Sequence, residues 1–511
     1  MKGAPARSHR STTLRKHSPM SDMIRSALAA LILMALAPAA HARQLGELEF
    51  AKCELPVVGI RPTNPVNAEC TTLKVPENWA EPKGRQIELA LAFVPSRSPK
   101  PQADPVVMLA GGPGQSARES WRGVAGAFRN ILADRNVILL DQRGTGASAR
   151  FDCPVDPSDD SMTAAPSADV ISSMARDCAT KAAEHSDPRY YTTEDAARDM
   201  EFVREKIGAP QLNLVGVSYG TRMAQIYYKR YPDKVRTLVL DSMVPNELIL
   251  GTEHAINLEE TLKAQLARCT ADKECGERFG DSYATLKSLS AELAITARPV
   301  QTRDPRTGES RSSTLNRGAL GLVARMYAYA PETIALLPVT LAEARAGRFE
   351  PLIAQAQMMS EDLGSQISMG MHWSILCTED SAGYVPRPQD ADLLLGQDFI
   401  ETTQTWCANW PKVEVAKDFH EAASGPVPAL LISGEFDPVT PPRYGDQIAK
   451  GLPNSRHLIA PGQGHGVLGR GCMPRLMTEF IASADASQLK VECLQQLGPA
   501  PFFLNLSGAA P

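Results

Sequence analysis

Short, almost wholly apolar runs punctuate the chain at 105–110 (PVVMLA), 136–140 (NVILL), 212–217 (LNLVGV), 235–240 (VRTLVL) and 427–433 (VPALLIS). A run of five to seven residues without polar alternation reads as a strand buried on both faces, which is how parallel sheets look. Between them, over 193–207 and 219–231, the apolar spacing lengthens to a helical period. Strand, helix, strand alternation implies an α/β sheet with right-handed crossovers. Upstream, 87–94 alternates and is apolar, and 95–105 is a proline-rich connector. From 246 to 426 the pattern changes to helix-rich Ala/Leu/Glu periodicity with few strand-like runs. The prediction is an α/β protein: a mostly parallel sheet with helices on both faces and an inserted helical cap. The core is expected over 43–245 and 427–511, with the cap at 246–426.

Residues 1–42 are set apart from this fold. Lys2, Arg7, Arg10, Arg15, Lys16 and Arg25 precede eleven small and apolar residues, Ala27 to Ala37, and then Pro38-Ala39-Ala40-His41-Ala42. A positive flank, a short apolar stretch and an Ala-x-Ala ending are the three parts of a cleaved secretory signal. Eleven apolar residues fall short of the about 20 that span a bilayer. A cut after Ala42 leaves 47 basic against 57 acidic side chains, a net charge of −10, from a full chain of 511 residues at −5. That balance argues against a nucleic-acid partner, which would need a clustered basic surplus. No later stretch is apolar enough for a membrane span, so the exported form is expected to be secreted or periplasmic. With 43% hydrophobic residues, disorder is excluded as well.

All ten cysteines (Cys53, Cys70, Cys153, Cys178, Cys269, Cys275, Cys377, Cys407, Cys472 and Cys493) follow the expected cut. Their even number suits an oxidising compartment, and the lack of a Cys-x-x-Cys pair speaks against zinc or a redox motif. Sequence does not settle connectivity. Pairing each cysteine with its neighbour along the chain, which closes five short loops, is the expected arrangement.

Gly216-Val217-Ser218-Tyr219-Gly220 stands where a predicted strand meets a predicted helix. A G-x-S-x-G in that context is a nucleophile elbow, with small residues flanking a serine lifted above the sheet edge. A serine hydroxyl needs a base within hydrogen-bond reach, and in this architecture the partners follow in the order acid, then histidine. Asp437 lies in the loop after the 427–433 run, and His465 lies in the Gly-rich segment 461–466. The expected triad is Ser218, Asp437 and His465, with Glu435 and Asp241 as rival acids. His457, at the start of an apparent strand, and His420, at the cap boundary, are expected to be ordinary. Two backbone donors must face the oxyanion. One is expected from Tyr219 and the other from the Gly111-Gly112-Pro113-Gly114 loop, at Gly112 or a neighbouring glycine, since proline has no N–H. No Gly-Lys-Ser/Thr follows that loop, so it does not read as a phosphate cradle. Asp141 and Arg143, in Asp141-Gln142-Arg143-Gly144-Thr145-Gly146, are expected to brace the neighbouring loops. Metals, cofactors and nucleotides find no support.

With these residues in hand, the chain resembles the α/β-hydrolase family of prolyl and tripeptidyl aminopeptidases, secreted bacterial serine exopeptidases. The resemblance rests on GGPG at 111–114, DQRGTGAS from Asp141, GVSYG around Ser218, SGEFDPVTPP around Asp437 and GQGHG around His465. CTTLKVPENWAEP from Cys70 and the Cys472…Cys493 spacing are similar to the tripeptidyl branch. Many members carry His before GGPG, whereas Ala110 stands here. The resemblance implies an α/β-hydrolase fold and removal of residues from the free N-terminus of short peptides. That selectivity needs an anion to receive the substrate ammonium, because an unpaired buried charge is expensive. Glu379 and Asp380, in a cap segment similar to one near the family's active-site entrance, are the candidates. A carboxylesterase or lipase-like hydrolase is the alternative enzyme, since the same triad cleaves esters. A non-enzymatic binding protein on a hydrolase scaffold is the alternative outside enzymes.

Overall fold

The computed structural model describes residues 42–56, 66–153, 167–303 and 307–509. The expected signal segment lies outside them, apart from Ala42.

Ten strands make one sheet: β1 Arg43–Leu45, β2 Leu48–Leu55, β3 Val66–Pro76, β4 Gln86–Val94, β5 Val106–Leu109, β6 Val137–Leu140, β7 Leu212–Val217, β8 Val235–Asp241 and, after two strands outside this sheet, β11 Ala429–Gly434 and β12 Ser455–Ala460. Their spatial order is β1-β2-β3-β4-β6-β5-β7-β8-β11-β12. From β6 to β12 every neighbour pairs parallel, and the first four strands form an antiparallel meander on one side.

The two-residue period of a strand sorts the apolar runs onto two faces. Val107, Leu109, Ile138, Leu140, Leu214 and Leu238 pack with Ala197, Met200, Met223 and Tyr227 from helices Thr193–Lys206 and Tyr219–Arg230. Val106, Met108, Val137, Leu139, Val215 and Val239 pack on the opposite face with Trp121, Leu476 and Phe480 from helices Ala117–Val124 and Met473–Ser483. A continuous apolar run is therefore what a strand covered on both sides requires.

Between β8 and β11 the chain is helical from His254 to Cys407, broken by one antiparallel hairpin of β9 Arg298–Arg303 and β10 Ser310–Leu315. The hairpin stands in a segment expected to be helix-rich with few strand-like runs. Its residues are mostly polar, and Val300, Thr302, Ser313 and Leu315 turn inward. The inserted segment also splits in two. Its first part closes its own core around Leu258, Leu262, Leu289, Leu320 and Ile353. Its second part, with Met371, Trp373, Leu376 and Trp406, shares a core with Phe151, Cys178, Tyr191 and Tyr219.

Five disulfides join Cys53–Cys70, Cys153–Cys178, Cys269–Cys275, Cys377–Cys407 and Cys472–Cys493. Each pairs a cysteine with its neighbour along the chain. Among the described residues no helix is long and apolar enough to cross a membrane.

Candidate active site

Ser218 sits between β7 and the helix Tyr219–Arg230 at φ 56°, ψ −125°. That is a costly backbone conformation for a residue with a Cβ. Three hydrogen bonds hold it. Its N–H donates to Asp241 O at 2.9 Å, and its carbonyl accepts from Thr221 N–H at 2.9 Å and Thr221 Oγ1 at 2.6 Å. The flanking glycines answer to close approach: a Cβ on Gly220 would lie 2.3 Å from Leu109 O, and one on Gly216 would lie 2.5 Å from Gly220 O.

Asp437, buried in the loop after β11, accepts from Val439 N–H at 2.9 Å and Thr440 N–H at 2.8 Å on Oδ1, and from Thr440 Oγ1 at 2.9 Å on Oδ2. His465 Nδ1 donates to the carboxylate at 2.9 Å from each oxygen. Burial favours the neutral acid, yet the charge and hydrogen bond of His465 and the two backbone amides hold Asp437 below its ordinary pKa. Burial likewise works against a charged His465, yet the charge and hydrogen bond of Asp437 raise it. With Nδ1 committed to Asp437, Nε2 is the nitrogen left to take a proton.

Of the rival acids, Glu435 accepts from Gly462 N–H at 2.7 Å. Asp241, pushed up to about 6 by burial, accepts from Val467 N–H at 3.1 Å and Leu468 N–H at 2.7 Å. Its own carbonyl is the acceptor for Ser218 N–H. The next residue, Ser242, accepts from Gly466 N–H at 2.8 Å. The end of β8 thus fastens the Ser218 turn and the His465 loop to the same two residues. Sequence reading gave Asp241 only as a rival acid and did not single out Ser242.

The Gly111–Gly114 loop runs against the nucleophile: a Cβ on Gly111 would lie 3.1 Å from Ser218 Cβ. Beneath it, Asp141 accepts from Ser116 Oγ at 2.6 Å and Arg118 N–H at 3.0 Å. From the inserted segment, Ser368 N–H donates to Gly114 O at 2.9 Å and His372 Nδ1 donates to Pro113 O at 3.2 Å. Gly114 has φ +107°, and a Cβ there would lie 2.8 Å from Ser368 O. Burial is the main cause that lowers His372 to about 4, so it bonds as a neutral imidazole. It steadies the loop from the other side, where Ala110 leaves no histidine before the glycines. Tyr219 follows Ser218 directly, and Gly112 stands in the facing loop.

Glu379 and Asp380 fall in a π-helical turn, Leu376–Asp380, with both side chains closed off from solvent. Glu379 accepts from Thr193 N–H at 2.5 Å and Thr193 Oγ1 at 2.9 Å, and Thr193 Oγ1 lies 2.7 Å from Tyr219 OH. Asp380 accepts from Arg222 Nη1 at 2.8 Å, one turn into the helix that Ser218 precedes. Burial pushes Glu379 up to about 8. Two carboxyl groups thus share one guanidinium, and Asp380 Oδ1, 3.7 Å from His420 Nε2, accepts no hydrogen bond. His420, expected to be ordinary, lies 2.8 Å from Glu379 O and 3.0 Å from Asn246 O. His457 lies 2.9 Å from Ser433 Oγ and 2.9 Å from Asp446.

Residues 104–469 match the family described as alpha/beta hydrolase fold. Serine protease Hip1 of Mycobacterium tuberculosis (strain ATCC 25618 / H37Rv) is 25% identical over 466 residues, covering 84% of this chain and 88% of that protein. Tripeptidyl aminopeptidase of Streptomyces coelicolor is 24% identical over 472 residues, covering 86% and 85%. Carboxylesterase B of Mycobacterium tuberculosis (strain CDC 1551 / Oshkosh) is 24% identical over 424 residues, covering 75% and 78%.

Proposed function

We propose, since the chain belongs to the α/β-hydrolase family, that this serine hydrolase is an exported aminopeptidase of the prolyl or tripeptidyl type, acting on short peptides with a free N-terminus. The observation that carries the mechanism is the Asp437–His465 pair, held in a loop that is fastened to the same β8 end as the Ser218 amide. Ser218 Oγ attacks the scissile carbonyl and His465 Nε2 takes its proton. Asp437 keeps the imidazole in the right tautomer and stabilises the cation. The amides of Tyr219 and Gly112 face the oxyanion, a contribution of about 10²–10³ in rate for one donor. His465 then protonates the leaving amine, and water releases the acyl group by the reverse sequence.

The relatives described as a serine protease and a tripeptidyl aminopeptidase support the peptidase reading. The five disulfides support export to an oxidising compartment. For the substrate ammonium, the support is that two carboxyl groups, Glu379 and Asp380, face one guanidinium, Arg222, and that Asp380 Oδ1, 3.7 Å from His420 Nε2, accepts no hydrogen bond. A buried acceptor without a donor is what an incoming ammonium would satisfy.

The test joins labelling to turnover. A fluorophosphonate probe labels the wild type, and Ser218→Ala stays folded while losing both the label and all hydrolysis; persistent turnover would refute the mechanism. Aminoacyl, prolyl and tripeptidyl chromogenic amides beside a short-chain ester divide peptidase from esterase, the second reading that the carboxylesterase relative favours. Glu379→Gln is expected to raise KM for free-amine peptides with little effect on a neutral ester. Equal losses on the two would remove the ammonium assignment.

A further inference from the structure

Arg325 lies in the last turn of the helix Arg317–Tyr327 and is half-buried. Its hydrogen-bond partner is His254, whose Nδ1 accepts from Nη2 at 3.2 Å. Among the described residues no carboxylate pairs with it. A guanidinium has five donors and a permanent charge, so most of its capacity is unused. The buried arginines are matched with carboxylates, Arg143 with Asp199, Arg222 with Asp380, Arg135 with Asp104 and Arg204 with Glu201, while the partly buried Arg317 and Arg456 donate to two or more backbone carbonyls each. A partly desolvated cation without a counter-ion is costly unless a ligand supplies one.

Its position gives that ligand a role. Just past this helix, Tyr329 O accepts from His465 N–H at 2.9 Å, and the Tyr329 ring meets the imidazole edge-on at 4.9 Å. A Cβ on Gly464 would lie 2.4 Å from Tyr329 O. Arg325 is close enough for its charge to oppose protonation of His465, of His254 and of His372, which holds the Gly111–Gly114 loop. The cation therefore stands near three imidazoles: His254, the base His465, and His372 on the oxyanion loop.

We propose that Arg325 receives the free α-carboxylate of the leaving part of a short peptide substrate, and so selects peptides that end soon after the scissile bond. This rests on the peptidase reading above. His465 must reach the leaving amine, so groups gathered around its loop serve the leaving side. The Glu379–Asp380 pair lies instead by Tyr219 and Thr193. A short zwitterionic peptide then meets carboxylate at its amino end and guanidinium at its carboxyl end, and a carboxylate fits the guanidinium fork.

The experiment compares one peptide, extended by a single leaving residue, as free acid and as C-terminal amide, with a short-chain nitrophenyl ester alongside. Wild type is expected to favour the acid by roughly ten- to a hundredfold in kcat/KM, the size of one charge-assisted pair. Arg325→Gln is expected to bring that ratio close to one, and Arg325→Lys to keep part of it. The ratio is internal to each variant, so loss of folded protein does not imitate the result. Equal turnover of acid and amide by wild type, which needs no variant, overturns the assignment, as does a preference that survives in Arg325→Gln. An amidated peptide with aspartate as the leaving residue separates the two sources of carboxylate: a gain there, and none for the free acid, overturns the terminal assignment. Turnover of the ester with neither peptide cleaved overturns the peptidase reading itself, and this proposal with it.

Discussion

At the scale of single residues, Asp437 and His465 move each other's protonation in opposite directions. The acid lies below its ordinary 3.8 and the imidazole above its ordinary 6.5. A general base must be neutral, so the acid limb of kcat/KM is expected above pH 6.5. In Asp437→Asn, burial is left as the main influence on the ring and pushes it the other way. That variant should lose about 10⁴ in kcat, and the acid limb of what remains should move below pH 6.5. A pH–rate profile of the two proteins checks the direction. The same shifts carry stability. The depressed acid contributes fully above 3.8 and loses its share as pH falls through its folded value. The raised histidine contributes fully below 6.5 and loses its share as pH rises through its folded value. The melting-temperature gap between wild type and Asp437→Asn should therefore be widest between pH 3.8 and 6.5 and narrow on either side.

At the scale of elements, the parallel strands end in loops that need bracing, and buried charges do much of it. Arg143, in the loop after β6, is fully buried. It donates to Asp199 at 2.7 and 2.6 Å, and to the carbonyls of Glu77 and Tyr190 at 2.7 Å each. One side chain thereby joins the end of β3, the turn at 190 and the helix Thr193–Lys206. Arg143→Met leaves Asp199 buried with Trp79 Nε1 at 3.0 Å as its one side-chain donor among the described residues, and should cost about 3–5 kcal/mol in urea unfolding. Adding Asp199→Leu removes the stranded charge, so the double variant should be less destabilised than the single one. A double variant no better than the single would mean that the carbonyl contacts, not the ion pair, hold the loop. The bracing role of this segment was readable from its place after a strand. The residues it braces were not, because they come from separate stretches of chain.

At the scale of the whole molecule, two disulfides, Cys153–Cys178 and Cys377–Cys407, lie in the core that the second half of the insertion shares with Phe151, Cys153 and residues of 171–191. The described structure leaves no cysteine free. Native protein should take up no iodoacetamide, and all ten thiols of the chain should react after reduction in denaturant. Reduction alone should lower the melting temperature, since each bridge contributes roughly 2–4 kcal/mol. Uptake of alkylating reagent by native, unreduced protein would contradict this pairing. The helices between β8 and β11 are interrupted by a hairpin at 298–315 that the sequence does not display, because a mostly polar strand carries little of the alternation by which strands are recognised.

Local physics settled a large part of this protein before any fold was known. Apolar runs long enough to be covered on both sides specify a parallel sheet. Glycines beside Ser218 specify a turn in which backbones nearly touch, and a Gly-rich segment around His465 specifies a loop free to bend. Each of these is decided by neighbours in the chain, so the chain displays it. What the fold decided is which distant groups meet. Asp241 and Ser242 fasten two loops at once, and His372 crosses from the insertion to hold Pro113. Arg222 closes on the acidic pair, while Arg325 meets His254 and, among the described residues, no carboxylate. Pairing of charges and hydrogen bonds depends on distance in space and on exclusion of water, and both arise only when separate segments pack together.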